Sequence, residues 1–170
     1  LFRFDSYFYY LTGFTEPNAL LVVTGDGGST LFCSPKDPER EIWDGYRLGP
    51  AMAPNILGVD AAFSYEEMDQ SIPKMLENKS LVSYPFAIHD GLEERVSQWL
   101  NKVRARVRFG AVCPEIQKDA CAVLDEMRLI KDSHELATMR KAAQISAAGH
   151  MRAMKLSKHM LSADRETREY

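Results

Sequence analysis

The sequence predicts an α/β fold, a mixed β-sheet with helices on both faces. Two observations carry that reading. The first third of the chain reads as strands with a hairpin at its centre, and from residue 50 short apolar strands alternate with amphipathic helices. Helices that alternate with strands in this way are laid onto the faces of a sheet. The 170 residues suit one domain with room for an appended element. At 45% hydrophobic and 26% charged residues the composition is that of a soluble globular protein, and a chain this long can fold without disulfides or metals.

Taken in order, residues 7–11 are aromatic and β-prone, and Thr12, Gly13 and Phe14 break the run. Residues 19–23 form a continuous apolar stretch of strand length, the pattern of a strand covered on both faces. The Gly-rich turn at 25–29 then returns the chain as a second strand at 30–33. Residues 35–40 read as a polar loop, Ile42 and Trp43 as a short apolar step, and 45–50 as another loop.

Pro50 opens a short helix, and residues 61–63 form a short strand. Ser64 with Glu67 makes a capping box for a helix running to about Asn78, which Pro73 should bend or split. A strand follows at 81–84. Asp90 with Glu93 caps a helix whose Leu92, Val96, Trp99, Leu100 and Val103 share one face. A further helix is expected from Pro114 to about Arg128, with Ile116, Ala120, Val123 and Leu124 inward. Asp132 with Glu135 opens a long Ala-rich helix to about Leu156.

Charge and composition exclude several functions. A net charge of −3 offers no basic field for nucleic acid. No apolar run approaches the roughly 20 residues that span a bilayer, and no basic n-region followed by an apolar h-region marks a signal peptide in these residues. Cys33, Cys113 and Cys121 are odd in number and lack CxxC spacing, so they read as small buried thiols of a reducing, cytoplasmic protein instead of a disulfide or zinc framework. The chain opens on Leu1 and stops in a charged stretch at 165–170, so it reads as a piece of a longer protein.

Catalytic patterns are missing. The glycines at 25–28 lack phosphate-loop spacing and lead into a strand, so a hairpin turn is the better account. His89, His134, His150 and His159 are scattered and read as solvated surface residues, and no GxSxG elbow exists. The carboxylates sit mostly at helix starts, where capping explains them. Two features stand apart. Trp43, Tyr46 and Arg47 in a Gly-punctuated stretch form an amphipathic cluster that either walls a ligand site or packs on its own core. Arg104, Arg106 and Arg108 either cap the end of their helix or offer cations to a partner.

Four stretches, in order, give the chain a resemblance. Residues 5–19 contain Thr12-Gly13-Phe14 and Glu16-Pro17. Residues 41–49 contain Ile42-Trp43-Asp44-Gly45. Residues 57–60 and 126–136 complete the set, the last including Met127-Arg128-Leu129 and Glu135-Leu136. Together they resemble the N-terminal domain of the Xaa-Pro aminopeptidase (aminopeptidase P) family of creatinase/prolidase-type metallopeptidases. The resemblance implies a three-layer α/β/α domain, incomplete at its start, over residues 1–131. Residues 132–170 would be a linker helix leading to a C-terminal pita-bread catalytic domain.

The parent enzyme so implied removes an N-terminal residue preceding proline and carries two manganese ions on ligands that lie beyond this chain. The domain itself would bear oligomer contacts (dimer or tetramer), meet its own catalytic domain, and wall the site for proline-containing peptides. By motif position Trp43 corresponds to the aromatic wall residue. Arg108, with Arg106 as the alternative, corresponds to a cation meeting the peptide. No residue of this chain inherits a catalytic or metal-ligand role, and neither nucleic acid nor membrane is an expected partner. A prolidase or creatinase relative, or a stand-alone dimerisation module, is the alternative.

Overall fold

The computed structural model describes residues 3–161. The charged stretch at 165–170 lies outside the described residues. Two compact units divide the chain, residues 1–124 and 125–170.

The first unit begins with a helix, α1 (Ser6–Thr12), where β-propensity predicts a strand. Both its ends are capped locally. The Asp5 carboxylate accepts the Phe8 N–H at 2.8 Å, and Gly13, at φ 65°, donates its N–H to Tyr9 O at 2.7 Å. A side-chain N-cap and a left-handed glycine fix this short helix more firmly than aromatic side chains favour extension. The expected hairpin follows, with β1 (Leu20–Val23) antiparallel to β2 (Ser29–Cys33). In its turn the Thr24 N–H donates to Gly28 O at 2.8 Å.

Residues read as loop form α2 (Pro38–Asp44), capped by Asp37 with Pro38 in its first turn. Next come α3 (Ala53–Leu57) and β3 (Ala61–Ser64), the latter parallel to β2. The central sheet therefore has the order β1-β2-β3 and is mixed.

The expected capping box at Ser64 and Glu67 is present, but it opens a 3-10 turn over residues 65–67, ahead of α4 (Met68–Leu76). Pro73 lies inside α4, and the break falls at that turn instead of at the proline. A proline cannot bond to the carbonyl four residues back, and here the Lys102 ammonium donates to Asp69 O at 2.7 Å. After β4 (Leu81–Tyr84) comes α5 (Leu92–Arg104). Its apolar face is as expected, with Val96, Trp99, Leu100 and Val103 buried. Its N-cap is Gly91, not Asp90, and the Glu93 carboxylate accepts the Ala87 N–H instead.

The helix expected from 114 is in fact a strand and then a helix. β5 (Ile116–Asp119) pairs in parallel with β4, and α6 (Cys121–Leu129) follows, with the Asp119 carboxylate accepting the Cys121 N–H at 2.9 Å. Ile116 and Val123 are exposed, not inward. In the second unit, the reciprocal capping box of Asp132 and Glu135 opens α7 (Ser133–Leu161), with both bonds at 2.8 Å.

Strand β2 organises the first unit. Alternation sends Phe32 to one face and Leu31 and Cys33 to the other. Phe32 packs with Met68, Ile72 and Leu76 of α4 and the buried face of α5, and Val82 and Tyr84 of β4 join the same cluster. Leu31 and Cys33 pack with Phe14, Leu48 and Ala53, flanked by Phe8 of α1 and Leu57 of α3. The sheet thus has helices on both faces, the arrangement expected. None of the three cysteines is in a disulfide; Cys33 is buried and the other two are half-buried. No helix among the described residues is long and apolar enough to cross a membrane.

Candidate functional site

Helix α2 carries the residues singled out in the sequence. Its first turn is built by the Asp37 carboxylate, which accepts the Glu39 and Arg40 N–H groups at 3.1 and 3.2 Å. Its last turn presents Ile42 and Trp43 outward, 78% and 87% exposed, with Tyr46 at 64% just beyond. Trp43 therefore does not pack on its own core. A tryptophan this bare, beside two more large apolar residues, marks a surface suited to a partner or ligand.

The loop after α2 is tightly held. Gly45 donates to Glu41 O at 3.1 Å, and the Glu41 carboxylate accepts the Arg47 N–H at 3.2 Å. The next amide, that of Leu48, donates to Glu16 Oε1 at 2.8 Å. Leu48 itself is buried against Phe14, Leu31, Cys33 and Ala53. Gly49 sits at φ 72°, a backbone conformation that strains any other residue, and a Cβ there would fall 3.1 Å from the Lys36 Cβ, tighter than ordinary contact. The Lys36 ammonium lies 4.7 Å over the Tyr46 ring.

A groove of about 430 Å³ runs beside the foot of α2, lined in part by Ser34, Asp37, Arg40, Arg47 and Tyr65. Near it the thiol of Cys33 is pushed up to about 11, first by burial and then by the Glu16 charge.

Arg108 lies elsewhere, in a 3-10 turn over residues 107–109 past the end of α5. It is exposed and has no hydrogen bond or ion pair among the described residues, whereas Arg106 is paired with Glu77. Phe109 beside it is 87% exposed. Trp43 and Arg108 thus stand on separate elements, the first on α2 and the second in the turn past α5, the helix that lines the Phe32 cluster. Of the histidines, His89, His134 and His150 are exposed; the side chain of His159 lies outside those described.

Among the described residues no group of three or more His, Cys, Asp or Glu is placed to hold an ion. Glu16 is the functional candidate that reading the sequence missed. Its motif position was visible, but its contact to Leu48 spans 32 residues and leaves no local pattern.

Known proteins similar to this chain in sequence and shape point one way. Residues 1–83 match the family model described as aminopeptidase P, N-terminal domain. The Xaa-Pro aminopeptidase of Haemophilus influenzae is 39% identical over 160 residues, which cover 92% of this chain and 35% of that one. The solved Pseudomonas aeruginosa aminopeptidase PepP superposes with a TM-score of 0.86 at 38% identity, over 91% of this chain and 36% of that one. A zinc-substituted Escherichia coli aminopeptidase P in complex with product gives 0.85 at 36% identity, over 88% and 35%. The chain spans about a third of the length of these relatives. With the motif order, the family match and the shared fold in agreement, the chain belongs to the aminopeptidase P N-terminal-domain family.

Proposed function

We propose that this chain is the accessory N-terminal domain of an Xaa-Pro aminopeptidase, a cytoplasmic manganese-type peptidase that removes the residue preceding proline. In this reading, residues 1–131 form the domain and residues 132–170 lead toward the catalytic part. The domain takes no bond-breaking step. It contributes contacts to a homo-oligomer and an apolar wall, led by Trp43, for proline-containing peptides, with Arg108 as a cation for the peptide's acidic end.

The observation that carries the proposal is the bareness of Trp43 on a helix in a chain related to Xaa-Pro aminopeptidases. An indole fits a prolyl ring by shape and apolar area, and one that is spent on no core contact is available for that use.

The test is Trp43→Ala in the full-length protein. The KM for an Xaa-Pro peptide should rise about tenfold, the size of a moderate hot-spot contact, while the unfolding free energy stays within about 0.5 kcal/mol of wild type. Wild-type kinetics in that variant would end the wall reading. A loss of several kcal/mol of stability would make Trp43 structural.

A further inference from the structure

A surface helix is normally oriented by an apolar stripe pressed into the core. Helix α2 has no such stripe. It is seven residues long, and none of its described side chains is buried, with Asp44 outside that description. Its direction must come from what holds its ends.

At its start, the Asp37 cap is local to the helix. At its end, the Glu41 carboxylate folds the Arg47 amide back onto α2, but Glu41 belongs to α2 and fastens the helix only to its own loop. The next amide is the one that reaches the body of the domain. Leu48 N–H donates to Glu16 at 2.8 Å, and the Leu48 side chain enters the core beside Phe14, two residues before Glu16. Two carboxylates thus hold two successive amides, one tying the loop to the helix and the other tying it to the domain.

The second oxygen of Glu16, Oε2, is buried and has no hydrogen-bond partner among the described residues. Burying a carboxylate oxygen without a partner is unfavourable. The bond from the Leu48 amide to Oε1 offsets part of that cost.

We propose that Glu16 is the positioning residue of Trp43: by fixing Leu48 it sets the direction of α2, and hence where the indole meets the substrate. The proposal rests on the reading of Trp43 as a substrate wall. A wall displaced by about 1 Å can lose much of its effect, so a tie this far from the ring still governs it. Glu16 touches no substrate and acts through Leu48 and α2.

The test uses the full-length protein with Glu16→Ala, Glu16→Gln, Trp43→Ala and the Glu16→Ala/Trp43→Ala double variant. Kinetics on an Xaa-Pro peptide are measured beside hydrogen exchange of the amides of residues 38–49. Glu16→Ala should raise KM roughly tenfold and speed exchange at Arg47 and Leu48. Glu16→Gln keeps an acceptor for the Leu48 amide and should restore most of both. The double variant should be no worse than Trp43→Ala alone, because both changes remove one function.

Additive losses in the double variant, unchanged exchange in Glu16→Ala, or equal unfolding of the alanine and glutamine variants would each overturn the proposal. Wild-type KM in Trp43→Ala would overturn the substrate wall and the kinetic half of the proposal with it. The exchange result would still decide whether Glu16 holds α2.

Discussion

The molecule's two tryptophans show two ways of fixing a helix. Trp99 is 4% exposed on α5 and belongs to a stripe of buried residues that meets α4 and β2. Trp43 is 87% exposed on α2, a helix without a buried side chain among those described, held by hydrogen bonds at its ends. Packing is non-directional and grows with area, so it stabilises the fold. Hydrogen bonds at a helix end contribute less free energy but set a direction. The first device makes the domain, and the second holds a side chain out from it. The proposed split between scaffold and wall follows that physical difference.

The comparison is broken most directly at Trp99. Trp99→Ala empties a core site and removes a donor, and should destabilise the domain by about 3–5 kcal/mol in a denaturant titration. Trp43→Ala should move the same midpoint very little. If the two variants lose similar stability, the distinction between a packed and a tethered helix fails.

A smaller effect is expected at Asp69, which joins the packed pair. Its carboxylate accepts the Trp99 indole N–H at 2.7 Å and the Arg95 guanidinium at 3.1 Å, and Arg95 also donates to the Tyr65 hydroxyl at 2.9 Å. Burial raises the Asp69 pKa, but the bonds from Trp99 and Arg95 outweigh it, so the group sits below its ordinary 3.8. A carboxylate with a lowered folded value contributes stability that is fully present above the unfolded value and lost as pH falls through the folded one. Asp69→Ala should cost about 1–3 kcal/mol at neutral pH, because the nearly buried indole N–H is left unpaired. The loss should shrink in acid, where the wild type gives up the same contribution. Equal losses at pH 7 and pH 2.5 would show that the charge is not what holds Trp99.

How much of this was legible in the sequence depends on how local each cause is. The α5 face could be read directly, because five apolar residues recur at helical spacing and all of them face the Phe32 cluster. The hairpin was legible from its glycines. For α1 the signals were present but conflicting: the aromatic run suggested extension, while Asp5 and Gly13 mark the two ends of a helical turn. Asp37-Pro38 likewise marks the start of α2, but the lack of an apolar stripe hid the helix. That same lack is the reason the helix is held by its ends. Strand β5 left no local pattern, because its pairing is with β4 some 35 residues away, Leu81 to Ile116. At the site, Trp43 was legible as an unusual residue in its setting, but its exposure was not, and Glu16 became visible only through Leu48.

The smallest effect concerns the prolines, and it sharpens the same contrast. Pro38 stands in the first turn of α2, where its missing N–H has no intrahelical acceptor to lose. Pro73 stands inside α4 and strips Asp69 O of its helical donor. The Lys102 ammonium, reaching from α5, fills that vacancy at 2.7 Å. Lys102→Met keeps the aliphatic stem and removes the donor, so it should cost about 0.5–1.5 kcal/mol. In a Pro73→Ala background the alanine N–H can take the carbonyl, and the cost of Lys102→Met should nearly vanish. Coupling of that sign in a double-mutant cycle identifies the lysine as a replacement for the backbone donor. An equal cost in both backgrounds would reduce Lys102 to an ordinary surface cation, and α4 would then owe its continuity across the proline to packing alone.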